Sequence, residues 1–136
     1  MTQEDKELLL KDLCARLPYD VKVQLSYIIT SPAILKGIDK YFIECDITVC
    51  ELEDVKPYLF PLSSMTKEQL FEVQEILGKN EIKIDDGFLR IVDSDRNVIT
   101  YLEILAVLEW FYKNHFDINN LIPKGLANDA TGLNIY

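Results

Sequence analysis

The apolar residues of this chain change their spacing at Pro18, and that change restricts the fold more than any other feature. Before it, Leu9, Leu10, Leu13, Cys14 and Leu17 recur at helical intervals, which assigns Glu4, Asp5, Glu7, Lys11 and Asp12 to the surface. After it, Val21, Val23, Leu25, Tyr27 and Ile29 alternate with Lys22, Gln24 and Ser26, the pattern of a strand with one buried face. A helix near residues 3–17 is therefore expected, opened by Glu4 and Asp5. Arg16 suits its last turn, where the helix dipole favours a cation, and Pro18 stops it by lacking an amide hydrogen and restricting the residue before it. A helix and a sheet that each carry one apolar face, met in succession, define an α+β fold.

Ser31 and Pro32 are expected to break the first strand. Residues 33–38 give a weaker extended stretch, and residues 41–49 alternate again, with Tyr41, Ile43, Cys45, Ile47 and Val49 on one face and Glu44, Asp46 and Thr48 on the other. The expected sheet is an antiparallel meander over residues 21–49, either open or curled into a small barrel. Residues 57–64, with two prolines and paired serines, read as an irregular connection that lays Tyr58, Leu59, Phe60 and Leu62 onto the sheet.

Three helices are expected to cover the sheet, near residues 3–17, 66–77 and 101–115. Thr66 with Gln69 spells a capping box for the second, which Gly78 can stop, and Thr100 with Glu103 spells another for the third. Residues 81–92 offer two short strands around Asp85, Asp86 and Gly87. The expected core contains Leu13, Val23, Leu25, Ile43, Cys45, Ile47, Leu70, Leu105 and Leu108. One domain spans residues 1–127, followed by a loosely held tail over 128–136.

Charge excludes several functions. Against 14 Lys and Arg stand 23 Asp and Glu, a net charge of −9, and the basic residues are scattered. Phosphate backbones and anionic lipid surfaces are repelled, so neither nucleic acid nor membrane is an expected partner. No apolar run approaches the roughly 20 residues that span a bilayer, and the polar, acidic start is unlike a secretory signal. With three cysteines, an odd number, the expected compartment is the reducing cytoplasm, all three thiols acting as small buried hydrophobes.

Tests for chemistry return little. Asp93, Asp95 and Asn97 match the first ligands of a calcium loop, but Val98 stands where its glycine belongs and Ile104 where its closing glutamate belongs. No metal and no cofactor is expected. His115 is the sole histidine and suits a helix end, and the five glycines never cluster into a phosphate-binding loop. Trp110, Phe111, Tyr112 and Phe116 form an aromatic group on and after the last helix, whose apolar surface exceeds what one sheet face can cover. Cover for it is expected either from residues 121–127 lying alongside or from another chain.

Three segments, KDLCARLPYDVKV (11–23), VKPYLFPLSSMT (55–66) and WFYKNHFDINNLIPKGLA (110–127), resemble an uncharacterised family of small acidic proteins that recurs in gut Bacteroidetes genomes and in their phages and other mobile elements. The resemblance implies no activity. Relatives usually look like W-L-N-x-H-H-F-D-Y-R-G at the third segment; here Asn114 replaces the first of the paired histidines, and Ile118, Asn119 and Asn120 replace Tyr-Arg-Gly. Phe60 stands where a basic residue is common.

The resulting expectation is a non-catalytic binding or interaction protein, an accessory factor of a phage or mobile element, acting as a monomer or weak homodimer on an unidentified protein partner. Tyr58, Phe60, Trp110 and Tyr112 are its candidate contacts. The alternative is a carboxylate-based or metal-dependent hydrolase, with Asp93, Asp95 and Asp117 as first suspects.

Overall fold

A computed structural model describes residues 1–78, 81–85, 88–92 and 101–136 of the chain. Helix α1 (Gln3–Arg16) begins at Thr2, whose hydroxyl accepts from the Asp5 amide at 3.1 Å while the Asp5 carboxylate accepts from the Thr2 amide at 3.1 Å. This reciprocal cap satisfies two amides that the helix start leaves without partners. Pro18 falls in a 3₁₀ turn (Leu17–Tyr19), and Asp20, at φ 52°, turns the chain into the sheet.

The remaining elements are β1 (Lys22–Leu25), β2 (Ile28–Ile38), β3 (Ile43–Cys45), β4 (Val49–Cys50), β5 (Val55–Leu59), α2 (Lys67–Leu77), β6 (Glu81–Asp85), β7 (Phe88–Val92), α3 (Tyr101–Lys113) and β8 (Asn128–Asp129). Six strands form one sheet in the order β4-β3-β2-β1-β5-β8, and β6 pairs with β7 separately. Among the described strands every pairing is antiparallel except β5 with β8. The fold is α+β as expected. The sheet is open, so the barrel does not form.

Three expectations about this sheet give way. Ser31 and Pro32 lie inside β2, and the chain reverses at Ser26 and Tyr27 instead. Val23 pairs with Ala33 and Leu25 with Ile28, so residues 29–32 stand opposite Gln24 alone. In such a bulge the ladder does not require the donor that proline lacks. Residues 41–49 are not one strand either: the Cys45 amide donates to the Thr48 carbonyl at 2.8 Å, and Asp46 is pinned to β2 by two bonds with the backbone of Ile34, at 2.8 and 2.9 Å. The connection over 57–64 opens inside β5, where Pro57 is buried, and only Leu62–Ser64 is a 3₁₀ turn.

Two hydrophobic cores result among the described residues. Leu9 and Leu13 of α1 cover the sheet face that carries Val21, Val23, Leu25, Leu35, Val55 and Leu59. Val73 and Leu77 of α2 meet Val107 and Phe111 of α3, with Leu62 and Phe116, in the second. Leu13, Val23, Leu25, Ile43 and Cys45 are buried as expected, whereas Ile47, Leu70 and Leu105 are exposed and Leu108 is half-buried. Helix α3 buries the stripe through Val107 and Phe111, not the one through Leu105 and Leu108. Cys14 is exposed, unlike Cys45 and Cys50.

Thr66 and Gln69 cap α2 reciprocally, and Gly78, at φ 63°, ends it. The Asp-Gly turn and the Thr100 cap fall on residues outside those described. Leu121, Leu126 and Ala127 return to the first core rather than lying along α3. Residues 128–136 make contacts that the sequence did not disclose: β8 pairs with β5, and the buried Ala130 donates from its amide to the Leu59 carbonyl at 2.8 Å. Among the described residues no helix is long and apolar enough to cross a membrane.

Candidate binding surface

The four aromatic residues singled out from the sequence, Tyr58, Phe60, Trp110 and Tyr112, are all half-buried. Phe60 packs 6.0 Å from Phe116 and 5.8 Å from Tyr136, centroid to centroid. Trp110 stacks on Phe116 at 5.7 Å, and its Nε1 donates to Glu72 at 3.1 Å. Tyr112 lies beneath the guanidinium of Arg16, 5.0 Å from the ring centre. The structure thus brings Phe60 and Trp110 together through Phe116 and gives the rings of Phe60, Trp110 and Tyr112 partners within the chain.

Helix α3 ends in a way that explains this seam. Phe116 donates from its amide to the Phe111 carbonyl at 3.0 Å, and His115 to the Tyr112 carbonyl at 3.1 Å, with His115 at φ 63°. That is a Schellman stop, and the contact between Phe111 and Phe116 is its usual apolar companion. A left-handed position favours glycine, so histidine here costs about 1–2 kcal/mol. Its ring is stacked 3.8 Å from that of Tyr136, whose hydroxyl donates to the Tyr58 carbonyl at 2.8 Å and accepts from the Lys22 amide at 2.8 Å. Burial, reinforced by the charges of Arg16 and Lys22, pushes the imidazole down to about 4. The dipole argument for a histidine cation is overridden.

Beside it lies a buried polar network. Asp12, assigned to the surface by its place in the helical pattern, is buried with Arg16, and Asn119 donates to Asp12 at 2.8 Å. Arg16 Nη1 and His115 Nδ1 are buried without a hydrogen-bond partner. Asp117 accepts from the Leu121 and Ile122 amides at 2.8 and 2.9 Å, so both carboxylate oxygens organise the turn that follows. Asp93 and Asp95 lie outside the described residues. Among the described residues no three His, Cys, Asp or Glu side chains are grouped as a metal site requires.

An exposed apolar surface lies at the other end of the sheet, around β3 and the terminal strand β4. Tyr41, Phe42, Ile47 and Val49 are 70%, 50%, 55% and 54% exposed. The Asp39 carboxylate holds the loop before β3, accepting from the Tyr41 and Phe42 amides at 2.7 Å each, and these bonds keep its pKa below the ordinary carboxylate value. A hollow of about 380 Å³ opens here, lined by Gly37, Ile38, Asp39, Phe42, Glu44 and Val49. Gly37 pairs with Glu44 across the strands, and a Cβ added at Gly37 would stand 3.0 Å from Glu44 Oε2. The sequence placed Tyr41, Ile47 and Val49 inside; the missed signal was Phe42, an aromatic residue on the supposed polar face.

No family model, no curated protein and no solved structure matches the chain.

Proposed function

We propose that this chain is a non-catalytic binding protein that engages a partner protein through the exposed surface around β3 and β4. The observation that carries this reading is the placement of Tyr41, Phe42, Ile47 and Val49, four large apolar side chains at least half exposed within nine residues of a sheet end. Monomeric proteins seldom leave apolar surface gathered in this way without a use for it. The resemblance to a family of phages and mobile elements makes a host or phage protein the class of partner to seek, with the chain as an accessory factor. Three free cysteines support a reducing, cytoplasmic setting. On this reading the chain acts as a monomer or weak homodimer, and Tyr58, Phe60, Trp110 and Tyr112, half-buried away from that surface, support the fold. The hydrolase alternative keeps Asp117 as its one described suspect, and that carboxylate already holds two backbone amides.

The test is affinity capture with the intact chain, identification of the retained protein, and titration of that protein after purification. Phe42→Ser with Ile47→Ser should abolish binding, while Leu102→Ser on α3 should not. Equal binding by the patch variant would sink the reading.

A further inference from the structure

Resting on that reading, we infer that the hollow between Gly37 and Glu44 receives an arginine side chain carried on an apolar segment of the partner. Four features of the hollow lead to this occupant. Phe42 and Val49 supply apolar wall for the side-chain stem. Phe42, half exposed, is an aromatic ring, a group on which a guanidinium can stack. The Glu44 carboxylate has no hydrogen bond or ion pair within the described residues, and Asp39 stands on the same wall with its charge maintained by two amides. Gly37, lacking a Cβ, lets the Glu44 carboxylate lie close over it; a Cβ there would stand 3.0 Å from Oε2.

Charge around the hollow selects the same partner. Asp39 and Glu44 both line it and, among the described residues, no basic residue does, Lys40 lying over the Tyr41 ring at 5.3 Å. A second copy of this chain would bring like charges together across a two-fold axis, at a net charge of −9 per copy. A basic, apolar segment meets both the exposed side chains and the field. Arginine fits better than lysine because its planar fork pairs with a carboxylate while its face lies on an aromatic ring.

The proposal is tested by selecting phage-displayed random twelve-residue peptides against the full chain and titrating the enriched peptides. Peptides with arginine flanked by apolar residues are expected, with binding that weakens as salt rises. Glu44→Gln and Phe42→Ala should each weaken them about tenfold, the scale of losing one charge-assisted contact. Replacing the peptide's arginine by lysine should also weaken binding. Gly37→Ala, whose methyl group meets only the mobile end of Glu44, should weaken binding while the circular dichroism spectrum stays unchanged. Enrichment of apolar peptides lacking basic residues, sensitive to Phe42→Ala but not to Glu44→Gln, overturns the arginine assignment and leaves the wider binding reading standing. Peptides indifferent to both Phe42→Ala and Ile47→Ser overturn both. Absence of any enriched peptide, or a dimer dispersed by Phe42→Ala, overturns the proposed occupant.

Discussion

Arg16 and Asp12, one turn apart on α1, form an ion pair from which solvent is wholly excluded: Nε donates to Oδ2 at 2.7 Å and Nη2 to Oδ1 at 3.0 Å. Nη2 also donates to the Phe116 carbonyl at 2.7 Å, which ties the first helix to the chain beyond the last one. Deleting one member leaves the other charge buried and uncompensated. Arg16→Met is therefore expected to cost about 3–5 kcal/mol in urea unfolding, whereas Asp12→Leu with Arg16→Met together should cost less than the sum of the single changes. Strict additivity would show that the two charges do not depend on each other.

His115 gives the folded chain a defined acid response. Its pKa falls from 6.5 to about 4 on folding, chiefly through burial and then through the charges of Arg16 and Lys22, against the opposing charge of Asp20. The unfolded chain therefore binds this proton at a higher pH than the folded one. The stability carried by the neutral ring is complete above about pH 6.5, declines as pH falls toward about 4, and declines no further below that. His115→Phe should flatten the dependence of the unfolding midpoint on pH in this window. Proton NMR of the sole histidine should report a midpoint near 4; one near 6.5 would contradict the burial.

Thiol reactivity separates the cysteines. Cys45 and Cys50 are buried, and burial foremost pushes both thiols up, that of Cys45 to about 12. Since the thiolate is the reacting form, a chromogenic disulfide reagent near neutral pH should titrate one group, Cys14, in the folded chain and all three in denaturant. Fast reaction of three groups without denaturant would refute the placement of the β3–β4 turn.

The second core makes a prediction about α3. Phe111 is fully buried and meets both Trp110 and Phe116, whereas Leu105 is 40% exposed. Phe111→Ala should cost about 3–5 kcal/mol, and Leu105→Ala less than the roughly 2 kcal/mol at which buried leucine truncations begin. Thermal unfolding of the two variants ranks them. A larger loss at Leu105 would mean that the helix is rotated.

Local chemistry was legible in the sequence, and distant partners were not. The Thr66–Gln69 cap and the Gly78 stop follow from residues three to twelve positions apart, so α2 was readable at both ends. The period change at Pro18 likewise announced the helix and the sheet. Burial of Asp12 and Arg16 could not be read, because charges four residues apart on a helix normally face water; here Asn119 and the Phe116 carbonyl bond to them from about a hundred residues away. The buried face of α3 was hidden for the opposite reason: a helix apolar nearly all round does not declare which side is in. At residues 41–49 a pattern of period two ran through a turn, closed by the Cys45 amide on the Thr48 carbonyl and held to β2 by the Asp46 carboxylate, which accepts from the Ile34 amide, without glycine or proline.

The parallel pairing of β5 with β8 sets a timetable for synthesis. Val23 finds Pro57 after 34 residues, but Tyr58 waits for Asn128, 70 residues further on. At about 5–20 residues per second, a ribosome leaves the outer edge of β5 uncovered for roughly 4–14 s after that strand has been made. During that interval the nascent sheet presents an open edge with Leu59 not yet covered, the kind of surface that other chains pair with or that a chaperone holds. Tyr136, which fastens both Lys22 and Tyr58, arrives later still. The chain therefore completes its sheet only once Asn128 and Asp129 can reach back to β5, and its vulnerable period is set by the pace of translation.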